Sequence, residues 1–452
     1  MARFLRQSPL TLVVLAFLLL LGGFIAWNLA TPEEDARVLA IRQKGYPTSP
    51  RELDAWYTHV PDSQNAAVIL LKAFSQPGLA DTSSTLAFIG DKSWVPTRGH
   101  VLNDEAKAEL TAVLATNQAL LDQLHSAIAL TNSRYPVDLK QGFQSLVPHL
   151  AKVKASIQLL TSEALLDASS GDTERALAAL RAAGTVADSL AEEPLLISQL
   201  VRIAGWGIIT RRCELILNGA TISDDQLAEL QSLFRDAERS NAMARGLGGE
   251  RATGLSAFMG SRNPQNIFGS AILPPTLKNR MLTSLYFGLL KSTGILQKDK
   301  AFYLDVMAAY IAAAEAPFPQ RLTLAQQANA AALSPPNKLL IFSRMLLPAL
   351  GRAIQRDGEN TARIRTTQTA IAIERFRRAH NGNLPGDLNE LVPSYLPSLR
   401  LDPFDGQPLR FKRLTSGYVV YSVGSDLRDD GGSEGDPKKQ SSAKDITFIV
   451  EK

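Results

Sequence analysis

Residues 373–385 read IERFRRAHNGNLP, and they mark the place where a helix ends and a small sheet begins. Threonine and apolar residues recur through and just before this stretch at spacings that are mostly three and four, which places them on one helix face: Thr366, Thr369, Ala370, Ile373 and Phe376. Asn381 and Gly382 tolerate positive φ, and Pro385 cannot continue a helical hydrogen-bond ladder. The sequence therefore predicts a helix that buries one face and stops near His380.

Downstream of this helix, the hydrophobic pattern changes from a helical period to alternation. The turn-forming series LDPFDGQPLRF at residues 401–411 leads into the β-branched and aromatic run YVVY at residues 418–421, and this order predicts a hairpin. A polar loop then precedes the run ITFIV at residues 446–450, which predicts a third strand that covers the helix. Together these elements predict a small helix-on-antiparallel-sheet module.

Four motifs of this module, in this order, resemble the globular domain of the major pseudopilins of type II secretion: IERFRRAHNGNLP, LDPFDGQPLRF, YVVYSVGSD and KDITF. The resemblance covers about a quarter of the chain. It implies short strands packed against the end of a long helix, and a calcium-binding loop before the last strand. On this resemblance, the expected calcium ligands are Asp426, in the Gly-Ser-Asp step, and Asp445, which precedes Ile446.

The loop that would hold this calcium is rich in acidic residues. Besides Asp426 and Asp445, it carries Asp429, Asp430, Glu434 and Asp436. Carboxylate oxygens are hard ligands of the kind that calcium prefers, but their spacing here does not match an EF-hand. A solvated acidic loop without a metal has the same composition, so both interpretations stay open.

The N-terminal stretch from Leu10 to Trp27 contains a single polar residue, Thr11. Its length suits a bilayer crossing, and Trp27 has the position of an interfacial anchor. A cleaved signal peptide is the alternative, although no Ala-x-Ala pattern follows before Pro32. We expect residues 1–31 to form a transmembrane signal-anchor in the inner membrane. Basic residues flank both ends, and the secretion-type resemblance favours placing the bulk of the chain in the periplasm.

The central region, residues 32–336, shows helical periods broken by Gly, Pro, Asn and Asp and almost no alternation, which predicts an all-α domain. Within it, the turn at residues 169–172 joins two alanine-rich amphipathic helices in a way that is similar to tetratricopeptide hairpins. Stacked repeats of that kind present a concave surface for peptides, while an irregular helical bundle is an equal alternative. The consecutive prolines at 335 and 336 predict a boundary, and residues 337–452 then form the C-terminal module. The predicted fold class is α+β overall.

Two later segments, Met281 to Leu296 and Lys338 to Ile354, are apolar with isolated basic residues. A central charge such as Lys291 or Arg344 costs roughly 2.5–3.5 kcal/mol on membrane insertion. The sequence therefore predicts buried helices, with an interfacial amphipathic surface as the alternative.

Composition and motifs narrow the function classes. A net charge of +4 over 452 residues, without basic clusters among aromatics, argues against a nucleic-acid partner. Cys213 is the single cysteine and lies in an apolar helical pattern, so we expect a buried residue and no intramolecular disulfide. The five histidines are far apart, and no catalytic motif is present. The sequence therefore predicts that the protein is not an enzyme.

These features together predict a membrane-anchored extracytoplasmic binding or scaffold protein. We expect it to be associated with a type II secretion or pilus-like system and to have protein or peptide partners in the cell envelope. The alternative is a periplasmic hydrolase whose site is assembled from residues that are distant in sequence.

Overall fold

In the computed structural model, the described part of the chain comprises residues 35–76, 95–98, 102–238, 241–258, 292–434 and 445–451. Its helices are α1 (Ala36–Gln43), α2 (Pro50–Trp56), α3 (Ala66–Phe74), α4 (Asp104–Thr116), α5 (Gln118–Ser126), α6 (His149–Ser169), α7 (Thr173–Asp188), α8 (Leu196–Gly219), α9 (Asp224–Ala237), α10 (Ala242–Leu255), α11 (Ile295–Glu315), α12 (Gln320–Leu333), α13 (Ile341–Leu346) and α14 (Leu350–Ala379). Its strands are β1 (Arg410–Leu414), β2 (Gly417–Ser422) and β3 (Ile446–Val450). The fold class is α+β, with one small antiparallel sheet beside many helices.

The predicted membrane anchor, residues 1–31, lies outside the described residues. Across the ranges given above, no helix has both the length and the apolar character that a bilayer crossing needs. The apolar segment from Lys338 to Ile354 forms the short helix α13 and the start of α14. The segment from Met281 to Leu296 is described only from residue 292 onward.

The predicted pair of central helices is confirmed by α6 and α7. Between them, Gly171 has a φ of +86°, a conformation that glycine adopts without steric cost. The Asp172 carboxylate accepts a hydrogen bond of 3.1 Å from the backbone N–H of Arg175 and so caps α7. Because α8 packs against both helices, the hairpin is one part of a larger helical packing.

Helix α14 spans 30 residues and supports the C-terminal module. It ends at Ala379, and the next residues include Asn381 and Gly382 with φ values of +53° and +86°. The N–H of Gly382 donates to the carbonyl of Arg377 at 2.8 Å, which satisfies a carbonyl at the helix end. The predicted stop near His380 is confirmed, and all five residues predicted for the buried face are buried.

The three strands form one antiparallel sheet in the order β1-β2-β3. The hairpin pairs Phe411 with Val420, and β2 pairs Val420 with Phe448. The sheet packs on α14, where the Tyr418 hydroxyl donates to the carbonyl of Ala370 at 3.0 Å and contacts Glu374 at 3.1 Å. The predicted helix-on-sheet arrangement is therefore confirmed.

The turn before β1 is organised around the fully buried carboxylate of Asp402. It accepts hydrogen bonds from the N–H groups of Phe404 and Val423, both at 2.9 Å. It also accepts from the Ser422 hydroxyl and from Nη1 of Arg410, both at 2.8 Å. One side chain thus joins the turn to both strands of the hairpin.

The C-terminal module shares its hydrophobic core with the central helices. Helix α14 packs against α8, α9 and α12 as well as against β2 and β3. Each of two core clusters contains residues from both sides of Pro336: Trp206 and Phe376 belong to one, and Met307 and Ile354 to the other. The boundary at Pro336 stays a prediction, and the interior is continuous across it.

Candidate functional site

The outer edge of β3 lies against α8. Since β3 pairs with β2 on one side and with no other strand of the described ranges, the backbone groups on its other side need partners. Asn218 donates from Nδ2 to the carbonyl of Ile449 at 2.8 Å, and its Oδ1 accepts from the N–H of Glu451 at 2.7 Å. The Glu214 carboxylate, one helical turn earlier, accepts from the N–H of Ile449 at 3.0 Å. Side chains of a helix therefore satisfy the edge of the sheet.

A cavity of about 410 Å³ lies beside this junction, between α8, α14 and the chain around β3. Its charged wall residues are four carboxylates and two guanidinium groups: Glu214, Glu359, Glu434, Asp445, Arg211 and Arg363. Among the described residues that line it, none is a histidine or a cysteine. Further arginines reach these carboxylates from outside the lining.

Three of these four carboxylates already contact an arginine of the chain, and Glu359 does so through Arg356 at 3.1 Å. Arg98 donates from Nε to Glu214 at 2.7 Å and from Nη2 to Glu434. Arg211 donates to the second oxygen of Glu214 at 2.6 Å. Arg98 therefore crosses from the helical region to the acidic loop and holds the two together.

Asp445 is the predicted calcium ligand that lies in the cavity wall. Its carboxylate accepts from the N–H of Gly432 at 2.8 Å and from that of Asp430 at 3.4 Å. Burial raises the pKa of the Asp445 carboxyl, and the neighbouring Asp429 and Asp430 raise it further, against the opposing effect of the two backbone donors. Negative charge is therefore concentrated around Asp445 in this loop.

Asp426, the other predicted ligand, takes a different position. Its carboxylate accepts from the N–H of Arg428 at 3.1 Å, within its own turn. Leu427, between them, has a φ of +60°, an unusual conformation for a leucine. The structure thus groups Asp445 with Asp429 and Asp430, and in the described ranges no three His, Cys, Asp or Glu side chains form a group that could hold a metal. The calcium site stays a prediction, since residues 435–444 of the same loop lie outside those ranges.

A second polar cluster contains the residue types of a hydrolase. His149 contacts the Glu193 carboxylate through Nε2 at 3.0 Å and stacks on Tyr135. The Ser198 hydroxyl donates to Glu193 at 2.5 Å, and all of these side chains are buried. In a catalytic triad the serine instead bonds to the imidazole. The geometry is that of a buried structural network, in which each polar group has a partner.

The cavity includes residues that the sequence analysis missed, above all Glu214, Glu359 and Arg363. One signal for Glu214 was present in the sequence: the charged series RRCE lies at residues 211–214 of the largely apolar helix α8. A charged residue on a buried helix face has to find a partner. That partner, the edge of β3, is more than 200 residues away along the chain.

Comparison of the chain with protein families, with curated proteins and with solved structures finds no match.

Proposed function

We propose that this chain is a membrane-anchored extracytoplasmic scaffold or binding protein of a type II secretion or pilus-like system. The observation that carries the proposal is the C-terminal module, in which a 30-residue helix lies under a three-stranded antiparallel sheet and an acidic loop precedes the last strand. This is the arrangement that the sequence resemblance implies. The apolar stretch Leu10–Trp27 supports the membrane attachment.

The packing of the module supports a scaffold role. The edge of β3 is covered by Asn218 and Glu214, so it does not offer a free edge for pairing with another strand. The cavity beside this edge presents an acidic wall at the junction of module and helical region. We infer that a partner segment carrying lysine or arginine would compete with Arg98 and Arg356 for these carboxylates.

Copurification tests the proposed function. After mild crosslinking in intact cells, the full chain is expected to copurify with an envelope component of a secretion or pilus system. The test variant is the double substitution Glu359→Gln and Glu434→Gln, which removes two negative charges from the cavity wall. It should reduce the yield of the crosslinked partner relative to the unmodified chain. Recovery of the chain without any envelope component would contradict the proposal.

Calcium is proposed as a ligand of the acidic loop, supported by the negative charge that Asp429, Asp430 and Asp445 bring together. For a site with a Kd of about 1 mM, 10 mM calcium is expected to stabilise the full chain by about 1.4 kcal/mol. Asp445→Ala should abolish this effect, whereas Asp62→Ala, in a remote exposed turn, should leave it intact. Thermal unfolding with and without calcium is the measurement, and no shift for the unmodified chain would remove the metal proposal.

The calcium effect is expected to depend on pH. Because the pKa of Asp445 is raised in the folded chain, this carboxyl favours folding at low pH, and that contribution is lost as pH rises through the folded pKa. Calcium binds only the deprotonated form. The thermal shift should therefore be largest near neutral pH and disappear as Asp445 takes up its proton. An equal shift at acidic pH would indicate that calcium binds elsewhere.

A further inference from the structure

Large apolar side chains are exposed together where α12 ends and α13 begins. Leu333, Leu339, Ile341 and Met345 are 61%, 47%, 37% and 46% exposed. They fall within 13 consecutive residues, whereas in the described ranges the other exposed large apolar side chains are scattered between Leu39 and Leu427. Clusters of this kind mark surfaces that contact a protein or a membrane. We call these four residues, with Lys338 and Arg344, the α12–α13 surface.

The α12–α13 surface is basic as well as apolar. In α13, Ile341, Arg344 and Met345 are all exposed and share one face, because they are three and four residues apart. Phe342 and Ser343, on the other face, are buried. The sequence from residue 316 to residue 356 contains no aspartate or glutamate. Apolar side chains flanked by lysine and arginine are typical of surfaces that lie in the headgroup region of an anionic bilayer.

The same end of the molecule holds the first described residue of the chain. Lys300 of α11 forms an ion pair of 3.0 Å with Asp35. The adjacent Asp299 accepts from the N–H groups of Phe342 and Ser343, at 2.9 and 3.1 Å, and so holds the start of α13. Consecutive residues of α11 thus position both Asp35 and α13.

The length of chain that precedes Asp35 limits how far the membrane can be. Trp27, the last residue of the apolar stretch, comes eight positions before Asp35. Eight residues of fully extended chain span at most about 28 Å. An anchor that ends at Trp27 therefore keeps the bilayer surface within reach of the α12–α13 surface.

We propose that the α12–α13 surface docks onto the anionic lipid face of the membrane that the N-terminal stretch anchors. This inference rests on the anchoring part of the proposed function. Ile341 and Met345 enter the headgroup region, while Lys338 and Arg344 contact lipid phosphates. Docking would fix the orientation of the folded domain relative to the membrane surface.

The test uses the full chain in vesicles and a polarity-sensitive fluorophore on a single introduced cysteine. Cys213 is fully buried, so the fluorophore reacts with the introduced cysteine. This cysteine is Met345→Cys in the test preparation and Val68→Cys in the control. Val68 is exposed on α3, whose main packing partners are α5 and α6. Vesicles contain phosphatidylethanolamine and phosphatidylglycerol, with nitroxide-labelled lipid as a quencher. Equal melting temperatures of the labelled and unlabelled chains establish that the fold is intact.

In these vesicles the label at position 345 is expected to shift to shorter wavelength and to be quenched by nitroxide lipid, while the label at position 68 stays solvent-like. If the chain floats with the vesicles while the label at position 345 stays solvent-like, the docking proposal is wrong. The proposed membrane anchor would still be supported by that result. A shift without quenching would also overturn the docking proposal, because a second copy or another segment of the chain would then cover the surface. Failure of the unlabelled chain to float after a salt wash would remove the anchor and, with it, the docking.

Charge variants test the role of anionic lipid. Lys338→Gln and Arg344→Gln should each lower the ratio of docked to undocked chain about fivefold, the factor that corresponds to roughly 1 kcal/mol for a basic residue near such a surface. The remote Lys72→Gln should leave the ratio unchanged. In phosphatidylcholine vesicles neither Lys338→Gln nor Arg344→Gln should have an effect. Equal quenching of all variants in anionic vesicles would contradict the electrostatic part of the proposal.

Discussion

Replacing Asp402 with alanine is expected to lower the free energy of unfolding by about 3–5 kcal/mol, the range found when one partner of a buried ion pair is removed. The Asp402 carboxylate is fully buried and accepts four hydrogen bonds, one of them from the Arg410 guanidinium. Alanine leaves the N–H groups of Phe404 and Val423 without an acceptor in a site that water does not reach. The turn and both strands of the hairpin lose their common partner.

Urea unfolding of the full chain, followed by circular dichroism, measures this loss. Asp426→Ala without calcium is the matched control, because Asp426 is only half-buried and, among the described residues, its carboxylate accepts from the N–H of Arg428 within its own turn. The control is expected to change stability by at most about 0.5 kcal/mol, as substitutions away from buried networks usually do. Equal effects of the two substitutions would show that the buried network around Asp402 contributes little.

Local signals in the sequence were sufficient for the helix and the hairpin of the C-terminal module. The end of α14 follows from Asn381, Gly382 and Pro385, whose backbone preferences act over a few residues. The β-branched run at residues 418–421 and the turn before it likewise specify a hairpin locally. These elements are confirmed because local preference and tertiary packing favour the same structure.

The sequence could not reveal how the module is held to the rest of the chain. A turn was predicted at residues 401–411, but the turn pattern does not show that Asp402 is buried beneath Ser422 and Val423. The consecutive prolines at 335 and 336 indicated a boundary, yet residues on both sides of them share one interior. Such contacts depend on pairings between distant residues, which periodicity does not encode.

The cavity could not be predicted from the sequence for the same reason. Its walls combine residues of α8, α14 and the chain around β3, so no single stretch carries its pattern. The resemblance to the pseudopilins predicts Asp445 as a calcium ligand, and Asp429 and Asp430 belong to an acidic run in the sequence. The ion pairs of Arg98 with Glu214 and Glu434 join segments that are more than 100 residues apart.

The second large effect is expected at Glu214, which joins α8 to the sheet. Glu214→Ala should lower the free energy of unfolding by about 3 kcal/mol, because it removes a buried charged acceptor and leaves a buried backbone donor unpaired. The donor is the N–H of Ile449 at the edge of β3, and the charged partners are Arg98 and Arg211. Since Arg98 keeps its contact with Glu434, the loss should stay below that at Asp402.

Two matched variants separate the causes of this loss. Glu214→Gln keeps an acceptor for the N–H of Ile449 but removes the charge, so it is expected to retain roughly half of the lost stability. Glu359→Ala changes another glutamate of the same cavity wall, whose partner Arg356 is largely exposed, and should cost less than about 1 kcal/mol. Urea unfolding ranks the three variants by their loss of unfolding free energy. The rate of hydrogen exchange at the N–H of Ile449 measures directly whether the edge of β3 stays protected. If Glu214→Ala leaves exchange at Ile449 as slow as in the unmodified chain, the edge of β3 is held by Asn218 alone, and the helical region and the sheet are joined mainly by their shared apolar core.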